Sequence, residues 1–334
     1  MDGRGTATAA DTWGVVGHDW AVALLARSLA QGYVAHAYLF SGPAGIGKYT
    51  LARAFAQALN CLAPPRCGQC RPCRLIAREA HPDVRTLARP ADRKNLGIDE
   101  IKELREDAAR KPLEARYKVY LIREAEALSE PAANALLKTL EEPPPRVVLL
   151  LTATEARRLL PTVVSRCQHL RLRPVPWPTV VAHLETVAGL PPAEAERLAD
   201  LAGGRLGWAL RAAHDPAVLA AREQHLARLA AALRGSRLER LRLADELAEA
   251  WSAHADDVRA LLATWRDWWR ARLLRSLGIA AGQAGAEGPP VADDTRRCQQ
   301  ALARVQQALA DLEANVHPRL ALEALVLALP RADT

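Results

Sequence analysis

A phosphate-binding loop is the feature that most constrains this chain. Residues 42–48 read Gly-Pro-Ala-Gly-Ile-Gly-Lys and directly follow an apolar run. Backbone N–H groups can approach phosphate oxygens at Gly42, Gly45 and Gly47, the following helix directs its positive end at them, and Lys48 adds a point charge. A glycine-rich turn before an amphipathic helix is the alternative. The strand before the loop and the helical pattern after it favour a nucleotide-binding α/β fold.

The residues that would hold Mg²⁺ at such a loop are replaced. A working loop has Ser or Thr after the lysine, but this chain has Tyr49, and Thr50 lies one position late, turned by roughly 100° around the helix. A second apolar strand should end in a metal-binding Asp followed by Glu, but here it ends in Arg123 and Glu124. A cation beside Mg²⁺ is electrostatically unfavourable, so we expect neither bound Mg²⁺ nor intrinsic ATPase activity. The question of ATP or ADP binding stays open.

Four cysteines predict a metal site. They have the spacing C-x5-C-x2-C-x2-C and are Cys61, Cys67, Cys70 and Cys73. Two-residue spacings let neighbouring thiolates meet on one ion, and four cysteine ligands make a closed, structural site. This set favours Zn²⁺, with nearby arginines to offset the thiolate charge. An iron–sulfur cluster is the rival interpretation, and scattered free thiols are the third.

Changes in composition and the positions of proline-rich segments predict three domains. Residues 1–174 contain the phosphate loop and a cysteine-rich insertion at 61–73. A proline-rich boundary introduces a small helical domain over 175–214. Helical patterns dominate 215–334, apart from a loop at 278–294 that is rich in Gly, Ala and Pro.

Strands that alternate with helices predict a parallel, helix-covered sheet in the first domain. Apolar runs predict strands at about 37–40, 82–87, 118–122 and 147–152. Residues 12–36 read as an entry segment followed by a helix, and helical spacing also occurs at about 48–60 and 98–109. In the last domain, Trp265, Trp268 and Trp269 have helical spacing and predict a core or an interface, with base stacking as the lesser alternative.

Charge and hydropathy limit the partners and the cellular location that we expect for this chain. The formal charge of +7 suits a polyanion such as DNA, although a GC-rich genome explains the excess of Arg over Lys better. No stretch approaches the ~18–20 apolar residues of a membrane helix. The N-terminus has no apolar core of a signal peptide. We therefore expect a cytoplasmic protein with no membrane contact.

Three further segments resemble motifs of bacterial clamp-loader subunits of DNA polymerase III, which are AAA+ proteins. They are residues 132–144 (Ala-Ala-Asn-Ala-Leu-Leu-Lys-Thr-Leu-Glu-Glu-Pro-Pro), 161–167 with Thr152 upstream, and 36–40 before the loop. The resemblance is dense over residues 13 to about 213 and weak beyond. It implies an α/β P-loop AAA+ module, here with the zinc insertion, then a small helical lid domain and an all-α C-terminal collar domain that joins five subunits in a ring.

The same resemblance implies a role for Arg166, which lies in a Ser-Arg-Cys motif. In this family that arginine reaches the ATP of a neighbouring motor subunit, where it neutralises charge on the γ-phosphate. An arginine in a surface turn is the alternative. Alignment also places Gly207 where a motor subunit has a lid arginine. The implied partners are the tau/gamma motor subunits and the delta subunit in a hetero-pentamer, with primer-template DNA and the sliding clamp reached through the complex.

Three functional hypotheses follow. The first is a non-motor stator without ATPase activity of its own, a component of a DNA polymerase holoenzyme that supplies Arg166 in trans. The second is an ATP-hydrolysing subunit of tau/gamma type or another AAA+ ATPase, which Tyr49 and Arg123 disfavour. The third is a zinc-containing DNA-binding protein that acts alone, and salt-sensitive DNA affinity of the isolated chain would identify it.

Overall fold

The structure is a computed structural model that describes residues 13–90, 93, 95–279, 289, 294–314 and 316–331. The described chain divides into two compact units, one of residues 13–179 with 205–207 and one of residues 180–204 with the described residues from 208 onward. Residues 1–12 and most of the predicted loop at 278–294 lie outside the described residues. The division into three domains stays a prediction.

The first unit is built on a parallel sheet of five strands. The strands are β1 (Ala37–Ser41), β2 (Val84–Leu87), β3 (Lys118–Ile122), β4 (Val147–Ala153) and β5 (Gln168–Arg171), in the order β2-β3-β4-β1-β5. The register places Leu39 opposite Leu151 and Leu150 opposite Leu121. Every residue of β1, β3 and β4 is buried, because helices cover both faces of such a sheet. The carboxyl ends of these three strands lie at one edge, where the phosphate loop begins.

In the described part of the first unit, six helices accompany this sheet. They are α1 (Asp19–Gln31), α2 (Lys48–Leu59), α3 (Arg71–Ala77), α4 (Ile98–Ala108), α5 (Glu130–Glu141) and α6 (Pro161–Val164). Alternate residues of the strands enter two apolar clusters, one that includes Phe55 of α2 and one that includes Leu136 of α5. The rings of Phe55 and Tyr38 meet edge to face with centroids 4.9 Å apart. Two 3₁₀ turns, Ala125–Ala127 and Ala156–Arg158, follow β3 and β4.

Two elements differ from the sequence prediction. Strand β5 was not predicted, because only Leu170 of its four residues is buried and an apolar run is therefore missing. The predicted entry segment and helix at 12–36 contain α1, which ends before Gly32 (φ +72°) and not near His36 as predicted. Helix α5 ends at Glu141, shortly before Pro143 and Pro144.

After β5 the described chain contains helices only. They are α7 (Trp177–Val187), α8 (Pro192–Ala202), α9 (Leu206–His214), α10 (Pro216–Arg234), α11 (Arg237–Ser276), α12 (Thr295–Glu313) and α13 (Pro318–Ala328). Helices α10 to α13 share a core that contains Trp265, Trp268 and Trp269, so the predicted core role of these side chains is confirmed. Among the described residues, none of the helices combines the length and the apolarity that a membrane crossing requires.

A buried arginine joins the ends of three helices in the second unit. The guanidinium of Arg240, on α11, donates to the carbonyl oxygens of Val326 (3.2 Å), Leu329 (2.7 Å), Leu233 (3.1 Å) and Pro330 (3.2 Å). Carbonyl groups in the last turn of a helix lack partners within the helix. Arg240 supplies those partners at the ends of α10 and α13, so its charge stabilises the packing of this unit.

Replacement of this side chain should destabilise the helical unit. Arg240→Ala leaves several carbonyl groups without a donor, and we expect a loss of about 3 kcal/mol in the free energy of unfolding. The control is Arg237→Ala, because Arg237 is exposed at the start of the same helix. Urea unfolding followed by tryptophan fluorescence measures both variants. Equal stabilities of the two variants would show that the four hydrogen bonds contribute nothing.

Candidate nucleotide and metal sites

The phosphate loop connects β1 to α2 and is held from both sides. The N–H of Gly42 donates to the carbonyl of Ala153 at the end of β4 (3.1 Å). The buried side chain of His18 bonds through Nε2 to the carbonyl of Ile46 (2.8 Å), and burial lowers the pKa of His18. Gly47 precedes α2 with φ +100°, a conformation that side-chain-bearing residues rarely adopt. The loop thus has the backbone conformation that the sequence motif predicts.

Lys48 lies at the base of this loop. Its Nζ donates to the carbonyl oxygens of Gly42 (2.7 Å) and Pro43 (3.0 Å). Burial lowers the pKa of Lys48 to about 8, although the charges of Glu126 and Glu124 oppose this shift. A phosphate group near Nζ would favour the charged form of the lysine. A role of Lys48 in nucleotide binding stays a prediction.

The two replaced metal positions contact each other. The guanidinium of Arg123 lies over the ring of Tyr49, 4.8 Å from its centroid, and Arg53 approaches the same ring at 5.7 Å. The hydroxyl of Tyr49 donates to Oε1 of Glu79 (2.6 Å) and lies 3.2 Å from Oγ1 of Thr86. An aromatic ring under a guanidinium offers no oxygen ligand to a divalent cation. The residues present therefore do not fit Mg²⁺ at this corner of the loop.

The two acidic residues after β3, Glu124 and Glu126, have different hydrogen-bond partners. Oε1 of Glu126 accepts from the N–H (2.8 Å) and the hydroxyl (2.6 Å) of Thr154. Glu124 is exposed, has φ +50°, and donates its N–H to Oγ1 of Thr152 (3.2 Å). Glu124 thus remains as a carboxylate beside the loop, whereas Glu126 has a structural role. Thr50 is exposed on α2 and takes no part in this arrangement.

Gly207 also contacts the phosphate loop within the first unit. Its N–H donates to the carbonyl of Gly45 (2.7 Å), and a Cβ atom at position 207 would lie 2.9 Å from that oxygen. A larger residue would force the two segments apart. Close approach of the backbone, which the sequence alone did not predict, is a physical reason for glycine at the position aligned with a lid arginine.

Arg166 follows helix α6 and is partly exposed. Its guanidinium pairs with Oε1 of Glu141 (2.8 Å) and donates to the carbonyl of Thr162 (3.0 Å). The Arg166 side chain retains 35% of its accessible surface and that of Glu141 retains 48%. At such exposure an ion pair contributes only about 0–1 kcal/mol, so the guanidinium can leave Glu141 for another anion at small cost.

The predicted metal ligands lie together. The Sγ atoms of Cys61, Cys67, Cys70 and Cys73 lie within 4.8 Å of one another, so this cluster could hold a metal ion and is compatible with structural zinc. Backbone N–H groups of Cys70 and Gln69 lower the pKa of Cys67 to about 6, whereas burial raises the pKa of Cys73. Backbone N–H groups of the protein thus favour the thiolate form of Cys67 without a metal ion.

Helix α2 supports the cysteine cluster from outside. Gln57, a buried residue of α2, donates through Nε2 to the carbonyl of Cys73 (2.7 Å) and accepts from Nε of Arg66 (2.9 Å). Nothing in the local sequence marks this glutamine as a partner of the cluster. The other two cysteines, Cys167 and Cys298, lie outside this cluster.

Comparisons with known proteins match part of this chain. Residues 17–176 match the family model for "DNA polymerase III, delta subunit". The delta' subunit of DNA polymerase III from Pseudomonas aeruginosa is 41% identical over 194 residues, which are 56% of this chain and 58% of that protein. Subunit tau of DNA polymerase III from Bacillus subtilis is 38% identical over 176 residues, 52% of this chain and 31% of that protein. The chain therefore spans only part of the length of these relatives.

A solved structure with a related description also aligns. The DNA polymerase III gamma subunit-related protein of Thermotoga maritima has a TM-score of 0.43 at 19% identity, covering 91% of this chain and 97% of that chain. Over the described residues, the sheet topology and the strand–loop–helix geometry agree with the predicted phosphate-loop α/β module followed by a mostly helical C-terminal part.

Proposed function

Because the comparisons support a subunit of the DNA polymerase III clamp-loader family, we propose that this chain is the delta-prime subunit, a non-motor member of the clamp loader. The observation that carries the proposal is the contact between Tyr49 and Arg123, which replaces both protein ligands of Mg²⁺ in one place. Without that metal the γ-phosphate of ATP lacks its main neutralising charge. The chain therefore assembles with ATPases and does not act as one.

Arg166 is the catalytic contribution of the chain in this proposal. It acts in trans, on ATP bound to an adjacent tau/gamma motor subunit, where a planar guanidinium can bridge phosphate oxygens. Partial exposure and weak pairing with Glu141 support this role, because the side chain can be withdrawn from its own subunit. The delta subunit completes the hetero-pentamer, and the helical second unit provides the collar through which the ring assembles.

The assembly would load the sliding clamp onto primer-template DNA during replication. Contact with DNA and with the clamp occurs through the complex in this proposal. The cysteine cluster holds one structural Zn²⁺, which fixes the insertion against α2 through Gln57. Zinc supplies no chemistry to the phosphate loop.

A motor subunit is the second candidate function, since tau of Bacillus subtilis matches this chain over 176 residues. The two functions differ in one measurable property. The purified chain should show no steady ATPase activity, and addition of tau/gamma and delta should give an assembly whose DNA-stimulated ATPase activity depends on this chain. The control is Lys48→Ala, which removes the loop lysine. Steady hydrolysis by the isolated chain that disappears in Lys48→Ala would identify a motor subunit and overturn the proposal.

A further inference from the structure

The anion-binding part of the phosphate loop is intact although its metal ligands are missing. Among the residues that the structure describes, the N–H groups of Gly45, Ile46 and Gly47 have no hydrogen-bond acceptor. The contact from Gly207 uses the carbonyl of Gly45 and leaves that residue's N–H available. Lys48 is fixed beside these groups. Together, free N–H groups and a lysine at the start of a helix form the parts that bind phosphate.

The corner where Mg²⁺ would bind carries a fixed cation instead. The hydroxyl of Tyr49 donates to Glu79 and can accept from the hydroxyl of Thr86. These two hydrogen bonds hold the ring of Tyr49, over which the guanidinium of Arg123 lies. Within the described part of the chain, Arg123 pairs with no carboxylate, and its side chain is exposed at the end of β3. Arg123 is therefore available to an anion that enters from solvent.

We propose that this loop binds a nucleoside diphosphate or triphosphate in its metal-free form, with the guanidinium of Arg123 in the role that Mg²⁺ has in a motor subunit. Mg²⁺ normally bridges the outer phosphates and neutralises part of their charge. A guanidinium can do the same with a planar set of donors that matches phosphate oxygens. The proposal depends on the loop alone and not on the place of the chain in a clamp loader.

Metal-free binding has a consequence that differs from that of an ordinary ATPase. When ATP chelates Mg²⁺, the net charge of the nucleotide becomes less negative by two, and a divalent cation would lie near the guanidinium of Arg123. Mg²⁺ should therefore weaken nucleotide binding to this loop. In a site with a metal-binding hydroxyl and carboxylate, Mg²⁺ should strengthen it. The sign of the Mg²⁺ effect therefore separates the two kinds of site.

The test is calorimetric titration of the full chain with ATP, and separately with ADP, in excess EDTA and in excess MgCl₂. We expect wild-type protein to bind in EDTA, and binding in MgCl₂ to be weaker by about tenfold or more. Arg123→Ala should weaken binding in EDTA and remove the difference between the two buffers. Arg116→Ala is the matched control, because Arg116 is another exposed arginine stacked on a tyrosine, 5.5 Å from the ring centroid of Tyr117.

A double variant is expected to reverse the effect of Mg²⁺, a result that a simple loss of binding could not produce. Tyr49→Thr with Arg123→Asp restores both types of Mg²⁺ ligand, so Mg²⁺ should now strengthen ATP binding. Circular dichroism of each variant checks that the fold is retained. The proposal is overturned if wild-type protein binds no nucleotide in EDTA, if Mg²⁺ tightens its binding, or if Arg123→Ala behaves like Arg116→Ala. Hydrolysis by the isolated chain would instead contradict the proposed non-motor function, so the two failures are distinguishable.

Discussion

Arg166→Ala should lower ATP hydrolysis at one neighbouring motor site by roughly 10³-fold or more, the range found for arginines that act in trans. The reason is loss of the guanidinium that neutralises charge on the γ-phosphate. Other motor sites keep their activity, so total DNA-stimulated ATPase should fall only in part, whereas clamp loading should fall sharply. The measurement is ATPase and clamp loading by assemblies reconstituted with wild-type or variant chain.

Three variants make this experiment specific. Arg157→Ala is the control, because Arg157 is an exposed arginine that pairs with Glu155 in the same part of the first unit. Arg166→Lys should rescue poorly, since an ammonium lacks the planar fork. Glu141→Gln releases the guanidinium from its ion pair, and these assemblies should keep at least wild-type ATPase activity.

Unchanged rates with Arg166→Ala would leave the chain a passive scaffold. A loss with Glu141→Gln as large as that with Arg166→Ala would mean that the ion pair itself is needed, for local structure and not for contact with ATP. Because the pair is exposed, neither variant should change the stability of the chain by more than about 1 kcal/mol. Thermal unfolding of the isolated variants separates this outcome from misfolding.

The central strands and the loop could be predicted because their information is local. A buried parallel strand is a short apolar run, and β3 and β4 are such runs. Strand β5 lies at the edge of the sheet and buries only Leu170, so its pattern carries too little signal. The cysteine cluster was also a local prediction, since three of its four ligands lie within seven residues of sequence.

Side-chain partners at the candidate sites depend on contacts that the sequence does not contain. Tyr49 and Arg123 could be identified singly as missing metal ligands, but their contact requires α2 and the end of β3 to be placed by the sheet. Arg166 could be identified from its motif, but its pairing with Glu141 depends on the packing of α5 against α6. In each case the sequence identified the residue but could not predict its partner.

Loss of the metal should give the largest structural effect in the first unit. Structural zinc in small modules contributes about 10–16 kcal/mol of apparent binding free energy at neutral pH. The segment from Cys61 to the end of α3 contributes few large apolar side chains to the core, chiefly Ile76. We therefore expect Cys70→Ser to release about one equivalent of zinc and to unfold this segment, while the helical second unit remains folded.

Elemental analysis and amide hydrogen exchange measure these two effects separately. Exchange should accelerate over residues 61–77 and at the end of α2, because Gln57 loses the ordered carbonyl of Cys73 as its acceptor. Cys167→Ser is the control: that thiol lies outside the cluster, and burial raises its pKa to about 12, so it should neither bind nor lose metal. Iron with visible absorbance in the wild-type protein would establish a cluster in place of zinc. A metal-free protein with normal protection of residues 61–77 would show that the four thiols need no ion, and that contacts such as Gln57 to Cys73 suffice to hold the insertion.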